Sequence, residues 1–276
     1  MGRAAPSALR FLAHHSPVQR GRWPMLRALR EDAACRAWLA LLENPTRTRR
    51  GFRLFTLPGD LTSDWIKLHG QHEPGTEAFV LDHLRPGTCF VDVGANVGYF
   101  SLLAASRGDA RVVAFEPQRG IAELLRRSAD YNRLGGRLRV EPLALSDAPA
   151  VMRMTSCPGN TGHARLAGAG RDALQPDPVP VVALDDWLAG NPVGPVSVCK
   201  IDTEGAELQV LQGMARLLER DGPALAVEVI DEHLAEFGAS GPRIREFLGG
   251  RGYADVSRRY APRGDPNRYF VRERVA

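Results

Sequence analysis

From Cys89 onward, apolar residues fall in short blocks, and between the blocks they recur with helical spacing. CFVDV, RVVAFE and LRVEPLAL are compact apolar runs, and the first two lead into YFSLLAAS and IAELLRRSADYNRL. Runs this short, bounded by turn residues, read as strands covered on both faces. Strands alternating with single helices predict a parallel, doubly wound sheet. The alternation lapses after LRVEPLAL and resumes with strand SVCKID, helix AELQVLQGMARLLE, strand ALAVEVI and a helix near GPRIREFLGG. In the second of these, Val210, Leu211, Met214, Leu217 and Leu218 form one apolar stripe. ADVSRRY and NRYFVRE, joined by the turn-rich APRGDP, predict a closing antiparallel hairpin.

Two stretches depart from this pattern. Residues 1–50 read as a basic, partly helical extension, with EDAACRAWLALLE followed by the breaking NPTRTRRG. The main domain is then 51–276, entered through a strand-like FRLFTLP and a helical TEAFVLDHL. The Gly- and Pro-rich insert, about residues 146–180, is too long for an idle loop and is expected to cover the substrate.

Composition changes this picture little. The net charge of +4 is misleading, because the first 30 residues hold six arginines and no acid, which leaves the rest net acidic. An arginine-rich start resembles an organellar transit peptide, yet it is poor in serine and arginine dominates the whole chain, so no targeting signal is expected. No run approaches the roughly 18 apolar residues of a membrane span. Cys35, Cys89, Cys157 and Cys199 form no C-x-x-C pair and lack companion histidines at zinc spacing. They read as free thiols in a reducing compartment, and the expected location is cytoplasmic.

The chemistry begins in FVDVGANVGYF, where an apolar strand runs into Gly94, Ala95, Asn96, Val97 and Gly98 before a helix. A strand, a glycine turn and a helix N-terminus present backbone N–H groups to a ligand. A dinucleotide turn needs G-x-G-x-x-G, but from Gly94 the remaining positions fall on Asn96 and Tyr99. The phosphate-cradling loop fails as well, since GANVGYFS lacks the lysine. A nucleoside without a pyrophosphate relaxes the demand, and asparagine is the next-best residue at positive φ. Asp92 stands at the strand's carboxyl end, where it can meet a ligand ammonium. Glu116, before Pro117 in VVAFEP, can accept from two ribose hydroxyls. Both acids suit S-adenosylmethionine. In LALSD, Ser146 and Asp147 are placed to meet an adenine amino group, although Ser-Asp is also an ordinary turn.

A second motif, VCKIDTEGAELQVLQGM, gathers Lys200, Asp202, Glu204 and Glu207 at a strand end and helix start. Acids there offset the helix dipole. Three of them beside one of the chain's two lysines exceed what capping requires.

FVDVGANVGYFSLLAA, VVAFEP, LALSD, VPVVALDDWL and CKIDTEGAELQVLQGM, in this order, resemble the FkbM family of S-adenosylmethionine-dependent methyltransferases, over about residues 73 to 230. K-I-D-T-E-G-A-E is the most specific element, with Thr203 where valine is commoner, and Asn96 follows the family's habit. The resemblance implies a class I methyltransferase (Rossmann-like) sheet of seven strands, mostly parallel, with an antiparallel C-terminal hairpin. It implies a cofactor site of Asp92, Gly94, Ala95, Asn96, Gly98, Glu116, Pro117, Ser146, Asp147 and Asp202. The implied reaction is methyl transfer to a hydroxyl of a sugar, glycan or natural-product metabolite.

Such a transfer needs an aligned acceptor and a base. The candidate bases are Asp202 and His163, with His233 beside Glu228 as a third. Asp202 and Glu204 without a clear third ligand predict no metal. A nitrogen acceptor or a non-catalytic binding scaffold are the alternatives. The absent N/D-P-P-Y/F segment argues against nucleobase amines, and no nucleic-acid partner is expected.

Overall fold

The computed structural model describes residues 44–155, 165–166, 178–262 and 264–273. Seven strands form its main sheet: β1 (Cys89–Val93), β2 (Arg111–Phe115), β3 (Leu138–Glu141), β4 (Val196–Ile201), β5 (Ala224–Glu228), β6 (Tyr253–Asp255) and β7 (Asn267–Arg272). Their order across the sheet is β6-β7-β5-β4-β1-β2-β3. Only β7 runs antiparallel, pairing with β5 on one side and β6 on the other. This is the seven-stranded, mostly parallel sheet with an antiparallel C-terminal pair that the motifs imply.

The chain moves outward from β1 to β3 and returns to β4 on the other side of β1. The two strands pair in parallel, with Lys200 opposite Asp92 and Ile201 opposite Val93. Where strand order reverses in this way, the carboxyl ends of the strands open a crevice.

Burial on both faces explains the unbroken apolar runs. In β1, Phe90 packs with α2 (Pro74–His83), α3 (Tyr99–Ala105) and α4 (Arg119–Tyr131), while Cys89, Val91 and Val93 face the opposite layer. That layer holds α5 (Leu184–Gly190), α6 (Glu207–Gln212), α7 (Ala215–Arg220), α8 (Asp231–Glu236) and α9 (Gly241–Gly249). Each fully buried Leu, Ile, Val or Phe stabilises the fold by about 1.5–3 kcal/mol. Cys89 and Cys199 are buried free thiols, and burial pushes Cys89 up to about 12. Cys35 and Cys157 lie outside the described residues.

An additional helix, α1 (Leu61–His69), precedes α2. Asp60 caps it, its Oδ2 accepting from the Ser63 amide at 2.9 Å. Glu77 of α2 is buried and accepts from Tyr99 Oη at 2.5 Å, Arg50 Nε at 2.6 Å and Gln71 Nε2 at 3.1 Å, which fastens the lead-in to α3. Among the described residues no helix is long and apolar enough to cross a membrane.

Two predicted elements are split. LRVEPLAL supplies β3 and then, after Pro142, a separate strand Ala144–Ser146. This strand pairs in parallel with Val179–Ala183, which also pairs antiparallel with Ala150–Met152. Proline has no N–H to continue the ladder, and the chain leaves the main sheet there. The helix predicted over AELQVLQGMARLLE divides into α6 and α7 at Gly213 and Met214. The Asp185 amide donates to the Gly213 carbonyl at 2.9 Å. The Asp185 carboxylate accepts from the Arg216 and Leu217 amides at 2.7 and 3.0 Å, capping α7 from another segment.

Candidate functional site

The turn after β1 is left-handed three times, at Gly94 (φ 74°), Asn96 (φ 49°) and Gly98 (φ 88°). Gly94 and Ala95 donate their amides to the Phe115 carbonyl, both at 3.0 Å. A Cβ on Gly94 would lie 1.7 Å from the Asp202 carbonyl oxygen, and one on Gly98 would lie 2.0 Å from Leu125 Cδ1. Gly94 thus brings the ends of β1 and β4 together, whereas Gly98 lets α3 pass α4. Asn96 tolerates its backbone conformation because its Oδ1 accepts from the Val97 amide at 2.8 Å.

Glu116 closes this turn from β2. Its Oε2 accepts from the Asn96 amide and its Oε1 from the Gln118 amide, each at 2.8 Å. Burial is the largest influence on the carboxyl and outweighs the two amides, pushing it up to about 7.

These residues wall a cleft with about 580 Å³ of empty space, counting the part open to solvent. Val93, Gly94 and Asn96 come from the first turn, Phe115, Glu116, Pro117 and Gln118 from the end of β2. Leu143, Ala144 and Leu145, with Met154 and Leu166 of the insert, form an apolar flank, and Asp202, Thr203 and Glu204 close the β4 side. Three carboxylates stand on this wall and, among the described residues, no basic side chain does. Such a wall suits a cationic nucleoside better than a pyrophosphate.

Several residues assigned to the cofactor from sequence stand elsewhere. Asp92 is fully buried behind the wall, where its Oδ2 accepts from Ser101 Oγ at 2.5 Å. Burial raises its pKa despite the nearby Lys200 charge. Ala95 and Gly98 are turned into packing. Ser146 donates to Asp147 at 3.1 Å and Asp147 is exposed, so the neighbouring Leu143–Leu145 line the cleft in their place. The position of LALSD after β3 shows the region but not which residues face inward, because Pro142 redirects the strand. His163 lies outside the described residues.

The K-I-D-T-E-G-A-E segment divides its charges by role. Lys200 is buried, holds Asp202 Oδ2 at 2.7 Å and lies 5.3 Å from the Phe100 ring centroid. Burial would lower its pKa, but Asp202, Glu73 and Asp92 overcome that and raise it, so it stays cationic. Glu73 at the start of α2 is held down to about 2, since His72 and Lys200 together outweigh its burial. Its place in this network is not visible in the sequence, because α2 reaches the strand ends only through tertiary packing.

Glu207 is structural. Its Oε1 accepts from the Thr203 amide at 2.8 Å and Thr203 Oγ1 at 2.9 Å, and its Oε2 accepts from the Gly205 amide at 3.0 Å. Glu204, at φ 59°, turns instead toward His233, whose Nδ1 lies 2.9 Å from its Oε2. Glu228, at the end of β5, is pushed far up by burial and by the carboxylates of Asp202, Glu204 and Glu207.

The chain is similar to known methyltransferases. The Methyltransferase FkbM domain matches residues 92–254, more than half of the chain. The chain is 32% identical over 203 residues to 31-O-demethyl-FK506 methyltransferase FkbM of Streptomyces tacrolimicus, spanning 63% of this chain and 75% of that protein. Among solved structures it resembles Methyltransferase FkbM from Methylobacillus flagellatus KT (17% identity, 90% of this chain, 58% of that chain, TM-score 0.44). It also resembles SMU.1697c from Streptococcus mutans, solved in complex with SAH (13% identity, 71% of this chain, 93% of that chain, TM-score 0.44). The sheet order comes from the chain's own strands, and the family from the sequence matches. With its acid-walled cleft at the β1–β4 reversal, the chain belongs to the FkbM family of methyltransferases, and its cofactor is S-adenosylmethionine.

Proposed function

We propose that the chain moves the methyl group of S-adenosylmethionine to a hydroxyl of a sugar, glycan or natural-product metabolite. The carrying observation is that the charged side chains on the cleft wall, among the described residues, are all acidic, with Asp202 standing at the tip of β4. The Streptomyces tacrolimicus relative is named a 31-O-demethyl-FK506 methyltransferase, which supports the oxygen acceptor.

The residues present fit the cofactor. Glu116 offers its carboxylate to ribose hydroxyls, Gly94 keeps the turn packed against the end of β4, and Leu143–Leu145 offer an apolar flank to a base. When bound, S-adenosylmethionine supplies an electrophilic methyl on a sulfonium. The chain then has two tasks, to align the acceptor oxygen and to take its proton as the new bond forms. Asp202 is the group on the wall suited to the second task, since Lys200 pins its Oδ2 at 2.7 Å and fixes the carboxylate in one orientation.

The test is transfer of radiolabelled methyl from S-adenosylmethionine to a panel of polyhydroxylated acceptors. Asp202→Asn should lower turnover by about 10²- to 10⁴-fold and leave S-adenosylhomocysteine affinity within about threefold. Label found only on amines would refute the hydroxyl reading, and equal loss of turnover and affinity would make Asp202 a cofactor-holding group.

A further inference from the structure

We propose that Glu204, Glu228 and His233 form a binding site for one divalent cation of the Mn²⁺ type at the β4 edge of the cleft. Each offers one ligand atom, and the three atoms lie within 4.8 Å of one another. The sequence argues against a metal because Asp202 and Glu204 lack a third ligand. The fold supplies other partners, by placing the end of β5 and the first turn of α8 against the turn after β4.

Three features make this more than a group of acids. First, the set is mixed, with two carboxylates and one imidazole. Hard oxygens suit Mg²⁺ and Mn²⁺ while imidazole suits later first-row ions, so the combination selects the middle of that series. Second, the spacing fits. Glu204 Oε2 and His233 Nδ1 are 2.9 Å apart, and two adjacent ligands at about 2.1 Å from an octahedral ion stand about 3 Å apart. Small side-chain rotations bring Glu228 into the same shell. Third, the group is not on the open surface, since Glu204 is buried and Glu228 and His233 are only partly accessible.

Backbone geometry holds the ligands near each other. Glu204 occupies a left-handed conformation (φ 59°), and Gly205 after it packs so closely that a Cβ would meet the His233 carbonyl oxygen at 2.5 Å. Glu204 also lines the cleft. Three protein ligands leave coordination positions open, the arrangement of catalytic rather than structural ions. An ion held there would bind an acceptor hydroxyl and lower its pKa, sharing with Asp202 the work of deprotonation. That consequence rests on the methyltransferase reading, but the site itself does not.

The test is calorimetric titration of the full chain with MnCl₂ in the absence of any nucleoside, supported by loss of the free-ion electron paramagnetic resonance signal. One Mn²⁺ per chain is expected, with a dissociation constant below about 100 µM. His233→Ala and Glu228→Gln should each weaken it at least about tenfold, while the affinity of both variants for S-adenosylhomocysteine stays within about threefold of the parent. Retained nucleoside binding shows that the variants are folded. No Mn²⁺ uptake at about 1 mM, or uptake that both variants leave unchanged, overturns the site. Because the ion and the nucleoside are titrated separately, the metal site and the methyltransferase reading fail by different results.

Discussion

Gly94 and Glu116 show how single residues shape the cleft. Gly94 combines positive φ with an approach that leaves no room for a methyl group, since its Cβ would meet the Asp202 carbonyl at 1.7 Å. Gly94→Ala should therefore destabilise the chain by at least about 3 kcal/mol. A urea melt showing a loss under 1 kcal/mol would contradict the close packing of the strand ends. Glu116 carries a pH consequence. Its pKa is raised from 4.5 to about 7 by burial, so near neutrality a large fraction is protonated. On the proposed reading ribose hydroxyls donate to Glu116, and they donate best to the ionised carboxylate, so binding would release a proton. Affinity for S-adenosylhomocysteine should fall as pH drops below about 7, approaching tenfold per unit, and Glu116→Gln should flatten the profile. A flat profile in the parent protein would detach Glu116 from the ligand. Glu116 and Asn96 were legible from their places after apolar strands. Asp92 was legible as a strand-end acid, but its burial against Ser101 depends on α3 folding over it, which spacing does not reveal.

At the scale of elements, the sequence pattern conveys type better than continuity. The five apolar positions of AELQVLQGMARLLE fit one helical stripe, yet the chain breaks at Gly213, where a Cβ would come within 2.0 Å of the Ser146 carbonyl oxygen. Glycine weakens a helix by about 1 kcal/mol relative to alanine, and the contact with the segment after β3 decides the outcome. Asp185, about 30 positions earlier in the sequence, then caps the second piece. Asp185→Ala should cost about 0.5–2 kcal/mol, read as a lower urea midpoint with unchanged slope, and no shift would remove the cap from the account. Periodicity reports only local burial, so a cap supplied across the fold was not readable. Pro142 was readable as an interruption, but the small sheet that receives the chain beyond it was not.

For the whole molecule, the regular alternation of apolar runs and helices was enough to give the parallel sheet, and the turn-linked closing pair gave the antiparallel edge. Strand order could not come from the sequence alone, because pairing between β1 and β4 joins segments about a hundred residues apart. That same pairing creates the cleft, and it assembles Glu204, Glu228 and His233, which no local motif connects. The central claim is that this cleft holds S-adenosylmethionine. Calorimetric titration with S-adenosylhomocysteine, using NAD as control, tests it most directly. One site of micromolar affinity is expected, with no NAD binding and a loss of about 1.5–3 kcal/mol in Glu116→Ala. Absence of S-adenosylhomocysteine binding, or affinity that Glu116→Ala leaves untouched, would contradict the account.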